Sequence, residues 1–322
     1  MYYPYFRGRQ NELLCLRELL ENNKLSENIV PVIEPVRFNS TLFITLEKFK
    51  EFNRDIVLIR NPEVGKFGDE YRKMLKDIDD EEDAEKKKKL QSNIEHYKEI
   101  LNDQAVIPAY IVNGAIVNKV ISKEIDPQNY VLINTDKGNW DFYSEKGEEL
   151  EARMTFIPKD EDFKDYVFGK TIMLEDVYDK APRNVDYIER PDDFFSRNHL
   201  TFSKRGYQGF SDYSIVGNEY EESGFAPLAI AIHIVYFDEK NVLRVHHFVS
   251  DSNENISDIP RKFEEAMEKL MSWDKLNNIK ITTGLNYLIS CYQNGKFPGL
   301  GVIKKYSLMH HLELIGDFLG DK

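Results

Sequence analysis

The chain has 322 residues, of which 41% are hydrophobic, and a net charge of −13. This length allows one large domain or two ordinary ones, and its 18 Tyr and 20 Phe can form a large core. The acidic balance, with a pI near 5.2, argues against non-specific nucleic-acid binding, which needs a basic surface, but it is compatible with a local basic groove.

The cysteines and the apolar runs indicate the cellular compartment. Cys15 and Cys291 lie far apart in the chain, which argues against a disulfide framework and fits a reducing environment. No apolar run approaches the ~18 residues of a membrane span. The first residues also lack the apolar core and cleavage site of a signal peptide. We therefore expect a soluble cytoplasmic protein.

Short apolar segments alternate with helical patterns along the first three quarters of the chain. The segment IVPVIEPV, for example, precedes one with Leu42, Leu46 and Phe49 at helical spacing. The predicted strands are at 29–36, 55–61, 105–113, 129–136, 154–158, 170–177, 212–217 and 228–237. Because strands that alternate with helices pair in parallel, we predict an α/β fold, a closed (β/α)₈ barrel of the TIM type.

Three regions depart from this alternation. Residues 66–101 are strongly charged, with EEDAEKKKK at their centre, which predicts a solvated helix or helical hairpin inserted in place of a barrel helix; a partner-binding arm is the alternative. Residues 237–241 predict a turn between two strands of a hairpin. Residues 255–322 predict a C-terminal helical cap on the barrel. No linker or internal repeat separates these parts, so we expect a single barrel-like domain over 1–322.

Polar residues follow many of the predicted strands, at the barrel end where TIM barrels place their active sites. They are Glu34, Arg60, Asn61, Asn113, Asn134, Asp136 and Asp176. Asp212 joins them only if its strand ends near Ser211 rather than starting at Asp212. Together such groups would suit a divalent cation or a phosphate-bearing ligand. Alternatively, several of them cap the helices that follow.

Histidines form the second set of candidates. In AIAIHIV the isoleucines occupy one strand face and His233 the other, which on a barrel strand points His233 into the lumen. A buried histidine needs a partner, so His233 is either a hydrogen-bonded core residue or a catalytic acid or base. His246 and His247 face opposite ways on their strand, so at most one of them joins His233.

Glycines mark a third candidate region. They are Gly206, Gly209, Gly217 and Gly224, and then Gly295, Gly299 and Gly301 in GKFPGLG. The last group precedes a helix that carries Lys304 and Lys305. A glycine turn that leads into such a helix can hold phosphate, although GxxxxGK[ST] is absent and a turn without a ligand is the alternative.

Six segments together resemble the bacterial and phage beta protein family, and most closely its bacterial branch. They are YPYFRGRQNELLCLREL, VPVIEPV, GFSDYSIVG, GFAPLAIAIHIVYF, HHFVSD and PGLGVIKKYSLMHHLEL. The resemblance implies a barrel-like α/β domain and, because such proteins are often encoded on mobile or defence-associated DNA, a role in phage–host conflict. It also implies a second, nuclease-like protein of the same operon as a partner. The positions that it carries over are Arg7, Gly8, Glu12, Glu34, Asp212, His233, His247, Ser250 and Asp251.

We therefore expect a component of a phage-defence system that binds a polar, phosphorylated or nucleotide-like ligand at the barrel mouth. The predicted catalytic residues are Asp212 or Glu34, as base or metal ligand, and His233, as acid or base. The predicted ligand-binding residues are Arg7, Arg60, Asp136, Asp176, His247, Ser250 and Asp251. The sequence does not identify a cofactor, and a divalent cation is the candidate. The alternative function is a non-catalytic recognition or regulatory subunit that binds a protein partner, so the sequence does not decide whether the chain is an enzyme.

Overall fold

The computed structural model describes residues 1–222 and 227–320. The contacts between residues divide the chain into two compact units. The first unit contains Met1–Leu13, Ile29–Glu175 and Phe202–Asp212, and the second contains Leu14–Asn28, Asp176–Thr201 and Tyr213–Lys322. The single domain over 1–322 stays a prediction.

Strands and helices are numbered in chain order. The strands are β1 (Tyr5–Phe6), β2 (Val32–Ile33), β3 (Ile56–Ile59), β4 (Val106–Ile111), β5 (Val131–Ile133), β6 (Met154–Pro158), β7 (Thr171–Leu174), β8 (Asp192–Ser196), β9 (Gly209–Ser211), β10 (Ala231–Phe237) and β11 (Leu243–Val249). The helices are α1 (Gln10–Glu21), α2 (Ser40–Glu51), α3 (Phe67–Asp80), α4 (Ala84–Leu101), α5 (Gly114–Ile121), α6 (Trp140–Lys146), α7 (Glu161–Asp165), α8 (Asn198–Thr201), α9 (Ile259–Met271), α10 (Thr283–Gln293) and α11 (Leu300–Gly320). No helix in the described ranges is long and apolar enough to cross a membrane.

The first unit contains an eight-stranded parallel sheet in the order β1 to β7 and then β9. Its two edges are joined, because the amide of Tyr3 donates to the carbonyl of Phe210 (2.9 Å) and that of Tyr5 to the carbonyl of Asp212 (2.8 Å). The ring of Tyr3, just before β1, meets that of Phe156 on β6 at 5.3 Å although β1 and β6 are not neighbours, so both rings fill the barrel interior. The predicted TIM-barrel-like α/β fold is therefore confirmed.

Two of the predicted barrel strands need correction. The seventh predicted strand, 212–217, is misplaced. The barrel strand in this region is β9 (Gly209–Ser211), and Ser214–Val216 form a 3₁₀ turn instead. The eighth prediction, 228–237, is wrong as a barrel strand, because its residues form β10 of a separate sheet. The two-residue β1 takes that place in the barrel. It lies in the segment YYPYF, which is too short and too poor in Val and Ile to show a strand pattern.

Helices α3 and α4 form the predicted charged helical hairpin; they contact each other, and α4 also contacts α2. An aromatic cluster holds the base of the hairpin. It consists of Phe38, Phe43, Phe67, Tyr71 and Tyr97, with Phe43 and Tyr97 centred 4.4 Å apart. Most side chains between Asp79 and Ser92 are exposed, as a run of charges predicts.

The second unit contains an antiparallel sheet in the order β10, β11, β8. Strands β10 and β11 form the predicted hairpin, whose turn closes when the amide of Asp238 donates to the carbonyl of Val242 (2.9 Å). Helix α9 packs on β11, and α11 packs on α10 and β10. Every residue of α11 from Tyr306 to Gly316 is buried, which is typical of a helix that is covered on all sides.

Candidate functional site

Two predicted site histidines face each other in the antiparallel sheet of the second unit. His233 on β10 and His247 on β11 are direct cross-strand partners, and their Nδ1 atoms lie 2.7 Å apart. The Nε2 atom of His247 lies 3.2 Å from a carboxylate oxygen of Asp193 on β8. The three side chains thus form one continuous hydrogen-bonded line across the three strands.

Hydrogen-bond chemistry fixes which nitrogen of each ring carries a proton. A carboxylate only accepts, so the Nε2–H of His247 donates to Asp193. The Nδ1 of a neutral His247 is then an acceptor, and the Nδ1–H of His233 donates to it. The Nε2 atom of His233 is left as a lone-pair acceptor. An acceptor of this kind can receive a proton or a hydrogen bond from a bound molecule.

Both imidazoles are held in their neutral form. Burial lowers the pKa of His247 to about 4, although the Asp193 carboxylate acts in the opposite direction. Burial, the neighbouring His247 and the positive charge of Lys304 lower the pKa of His233 well below its ordinary value. At neutral pH both rings are therefore uncharged, and the Asp193 carboxylate determines which ring nitrogen of His247 and of His233 carries a proton.

Two tyrosines fix the orientation of the imidazoles. The ring of Tyr187 packs on His247 with centroids 4.2 Å apart, and Tyr178 meets His233 edge-on at 5.7 Å. The hydroxyls of the two tyrosines are 2.7 Å apart, and the amide of Ala181 donates to that of Tyr187 (2.9 Å). These contacts leave the imidazoles little freedom to rotate.

His233 opens onto a cavity of about 290 Å³ that lies within the second unit. The cavity is also lined by Lys180, Lys304 and Ser307, and no carboxylate is among the described residues that line it. Ser307 is 3% exposed, and its hydroxyl has no hydrogen-bond partner. A buried polar atom of this kind is expected to bind a water or a ligand atom.

One face of α11 forms a wall of this cavity. Leu300, Ile303, Lys304 and Ser307 recur at helical spacing and all line it. The helix follows Gly299, whose φ of 98° is in the left-handed region that favours glycine. The glycine turn with its lysine helix and the strand histidine were separate candidates in the sequence, and the fold brings Lys304 and His233 to the same cavity.

In the first unit, Glu34 and Arg7 meet at the carboxyl ends of β2 and β1. Glu34 is fully buried and pairs with the guanidinium of Arg7. Its carboxylate also accepts from the hydroxyl of Tyr5 (2.7 Å) and from the amide of Glu63 (2.8 Å). Burial and the charge of Glu34 raise the pKa of Glu63. Glu34 is thus saturated with protein partners, which is typical of a residue that holds strand ends together.

Asp212 lies directly after β9, so the condition for placing it at the carboxyl end of a strand is met. Its carboxylate accepts from the hydroxyl of Tyr2 at 2.7 Å. Burial and this carboxylate raise the pKa of Tyr2 well above its ordinary value. The contact links the N-terminal residues to the last barrel strand.

Other predicted site residues have local structural partners. The guanidinium of Arg60 donates to the carbonyl of Leu101 (2.9 Å), and Asp136 caps a 3₁₀ turn by accepting from the amide of Gly138 (2.8 Å). Asn113 caps α5 in the same way. The alternative that strand-end residues cap the following segments therefore holds for Asn113 and Asp136.

The remaining predicted ligand-binding residues lie in loops of the second unit. Asp176 accepts from the amide of Asn218 (2.9 Å). Ser250 accepts from the amide of Ile230 (3.0 Å), and so ties the end of β11 to the start of β10. Asp251 is exposed and pairs with Lys269 (2.6 Å).

The prediction that His233 lies on a barrel strand and points into the barrel lumen is wrong. His233 and His247 lie in the antiparallel sheet because β10 is not a barrel strand. Asp193, Lys180 and Ser307 were not among the site residues predicted from the sequence. A signal for Asp193 was present, since DDFFS after Pro191 is a short aromatic strand segment. Gly224 of the predicted glycine set lies outside the described residues.

The described part of the chain contains no group of three His, Cys, Asp or Glu side chains placed to hold a metal ion. Comparison of the chain with protein-family models, with curated proteins and with solved structures finds no match. The fold and the site are therefore the basis for inferring function. They define a protein with a TIM-barrel-like unit and, in its second unit, a histidine-lined cavity with two lysines.

Proposed function

We propose that the chain binds a small phosphorylated or otherwise anionic molecule in the cavity of the second unit. The observation that carries the proposal is the composition of the cavity wall. Lys180 and Lys304 line it together with the unpartnered hydroxyl of Ser307, and the described wall residues include no carboxylate. This local balance is the reverse of that of the whole chain, whose net charge is −13.

The charges around the cavity support an anion rather than a neutral ligand. Lys180 lies 3.7 and 3.8 Å from Glu219 and Glu221, which are largely exposed, so these pairs are weak and can be exchanged for a ligand. Lys304 is close enough to His233 to lower the pKa of its imidazole. A phosphate between the two lysines would accept charge-assisted hydrogen bonds from both.

Isothermal titration with inorganic phosphate and with adenosine 5′-monophosphate tests this proposal. We expect Lys304→Gln to weaken binding about 10-fold or more, since a hydrogen bond to a charged group contributes about 1.5–3 kcal/mol. Lys240→Gln is the matched control, because Lys240 is exposed in the β10–β11 turn and does not line this cavity. Absence of binding, or equal binding by the two variants, would contradict the proposal.

The role in phage–host conflict and the nuclease-like partner of the same operon are also proposals, and they rest on the family resemblance alone. A regulatory subunit that binds a protein partner is the second candidate function. Its structural support is the exposed charged hairpin of α3 and α4, which offers a surface beyond the barrel. Co-purification of an operon partner with the wild-type chain, and its loss when residues 78–92 are replaced by a short Gly-Ser linker, would favour that candidate.

A further inference from the structure

The line of side chains from Asp193 through His247 to His233 ends at a residue that lines the cavity. His233 is partly exposed there and shares the cavity wall with Lys304 and Ser307. The lysine offers only donors, whereas the Nε2 atom of His233 offers only a lone pair. The site therefore presents a hydrogen-bond acceptor beside an anion-binding group.

We propose that the cavity selects phosphorylated molecules that carry a hydroxyl near the phosphate, such as polyol or sugar phosphates, and that His233 accepts a hydrogen bond from that hydroxyl. This inference rests on the proposed function, because Lys180 and Lys304 hold the phosphate. Ser307, whose buried hydroxyl has no hydrogen-bond partner, also lies in the cavity wall. An anion without a hydroxyl would leave the His233 acceptor unsatisfied, which costs binding free energy.

Asp193 and His247 act as positioning residues in this scheme. The Asp193 carboxylate orients His247, and His247 in turn holds the proton of His233 on Nδ1, at a Nδ1–Nδ1 distance of 2.7 Å. The charged and titratable groups around the line are Arg190, which lies 3.4 Å from Asp193, Lys304 and the two tyrosines that contact the rings. Burial keeps the pKa of both imidazoles low, so the acceptor persists at neutral pH.

The proton positions are testable without any ligand. In protein labelled with ¹⁵N-histidine, two-bond ¹H–¹⁵N correlation spectra distinguish a protonated from an unprotonated ring nitrogen. At pH 7 we expect His233 to carry its proton on Nδ1 and to show Nε2 unprotonated. In Asp193→Ala we expect the two tautomers of His247 and His233 to mix, because the group that fixes their order is gone. A wild-type His233 with a protonated Nε2 would overturn the inference.

Ligand selectivity is tested with glycerol 3-phosphate and n-propyl phosphate, which have the same chain length and differ in their hydroxyls. We expect the wild type to bind glycerol 3-phosphate about 10-fold more tightly, the value of one additional hydrogen bond of ~1.4 kcal/mol. His233→Ala should remove this preference and retain binding of propyl phosphate. Its melting temperature, measured in parallel, shows that the variant is folded, and His233→Gln, which keeps an acceptor, should restore part of the preference.

The outcomes separate the two proposals. If both phosphates bind equally and Lys304→Gln weakens both, the anion site stands and the selection for a hydroxyl is wrong. If neither phosphate binds, both proposals fail. If glycerol 3-phosphate is preferred equally by wild type and His233→Ala, the hydroxyl is recognised by another group and the assignment to His233 is overturned.

Discussion

Glu34 shows how one buried charge can determine local structure. Its side chain is fully buried, and its partner Arg7 is only 12% exposed, so the ion pair is largely shielded from water. Glu34 also joins three consecutive barrel strands, because Tyr5 begins β1, Glu34 follows β2 and Glu63 follows β3. A carboxylate with so many partners contributes to register more than to catalysis.

A double-mutant cycle tests this interpretation at the residue scale. Arg7→Met should lower the free energy of unfolding by about 3–5 kcal/mol, because it leaves the Glu34 carboxylate buried without its cation. The double variant Arg7→Met/Glu34→Gln should be more stable than the sum of the two single changes predicts, with a coupling of about 1–3 kcal/mol. Urea unfolding at pH 7 measures all four proteins, and additive single effects would contradict a coupled pair.

Residue-scale prediction from sequence succeeded where chemistry is local and failed where it depends on pairing. The acceptor capacity of Asp and Asn at segment starts was enough to predict the caps at Asn113 and Asp136. Strand alternation predicted that at most one of His246 and His247 joins His233, and the cross-strand register shows that it is His247. Asp193 could not be predicted in this way, because its contact with His247 requires β8 to pair with β11 across more than forty intervening residues.

At the scale of elements, the α3–α4 hairpin has two regions of different stability. Its base is anchored by the aromatic cluster around Phe38 and Tyr97, whereas the tip around Glu81–Asp83 carries mainly exposed charges. Few buried contacts hold the tip, so it should open locally at a small cost in free energy. The sequence predicted this element well because the charged run at its centre favours a solvated helix over a buried one.

Limited proteolysis with trypsin tests the local opening of this tip. We expect the first cuts after Lys86, Lys87, Lys88 or Lys89, within residues 78–92, because these lysines start α4 next to the loosely held tip. The two fragments should remain together under native conditions, since β3 and β4, which flank the hairpin, are paired. Early cleavage between Asp126 and Asp165 at the same protease concentration would show that the barrel itself opens more readily than the hairpin.

The exchange of β1 for β10 shows the limit of prediction for elements. Strand β10 has the long apolar run expected of a buried parallel strand because helices cover both sides of its sheet, with α11 on β10 and α9 on β11. Strand β1 has two residues and no such run, and it is specified by its neighbours rather than by its own composition. Local pattern thus predicted the number of barrel strands and most of their segments, but not the short segment that completes the barrel.

At the scale of the whole chain, the closure of the barrel depends on its first residues. Tyr2 bridges to both Ile29 and Phe210, and Tyr3 and Tyr5 donate amide hydrogen bonds to the β9 segment. Tyr2 also stacks on Phe210 at 4.9 Å and bonds Asp212 through its hydroxyl. A barrel that lacks this segment would expose two sheet edges.

Deletion of residues 1–6 should therefore prevent cooperative folding of the barrel unit. The segment contributes four buried aromatic side chains, and each is worth about 1.5–3 kcal/mol, so their sum rivals the net stability of a domain. Tyr2→Phe is the matched control, since it removes only the hydroxyl on Asp212 and should cost about 1–3 kcal/mol. Calorimetric melting compares the proteins, and a truncated chain with the wild-type unfolding enthalpy would show that β1 is dispensable.

The pairing of the N-terminal residues with β9 also determines when the barrel can close during synthesis. Strand β1 is synthesised before both of its neighbours in the sheet, and one of them, β9, is made about two hundred residues later. At a translation rate of ~5–20 residues per second, the nascent chain carries an unpaired strand edge for roughly 10–40 s. Residues 176–201, which belong to the other compact unit, emerge within that interval. The barrel therefore cannot close sequentially from its N-terminus. Its completion needs contacts between residues far apart in sequence, so it is a late step of folding.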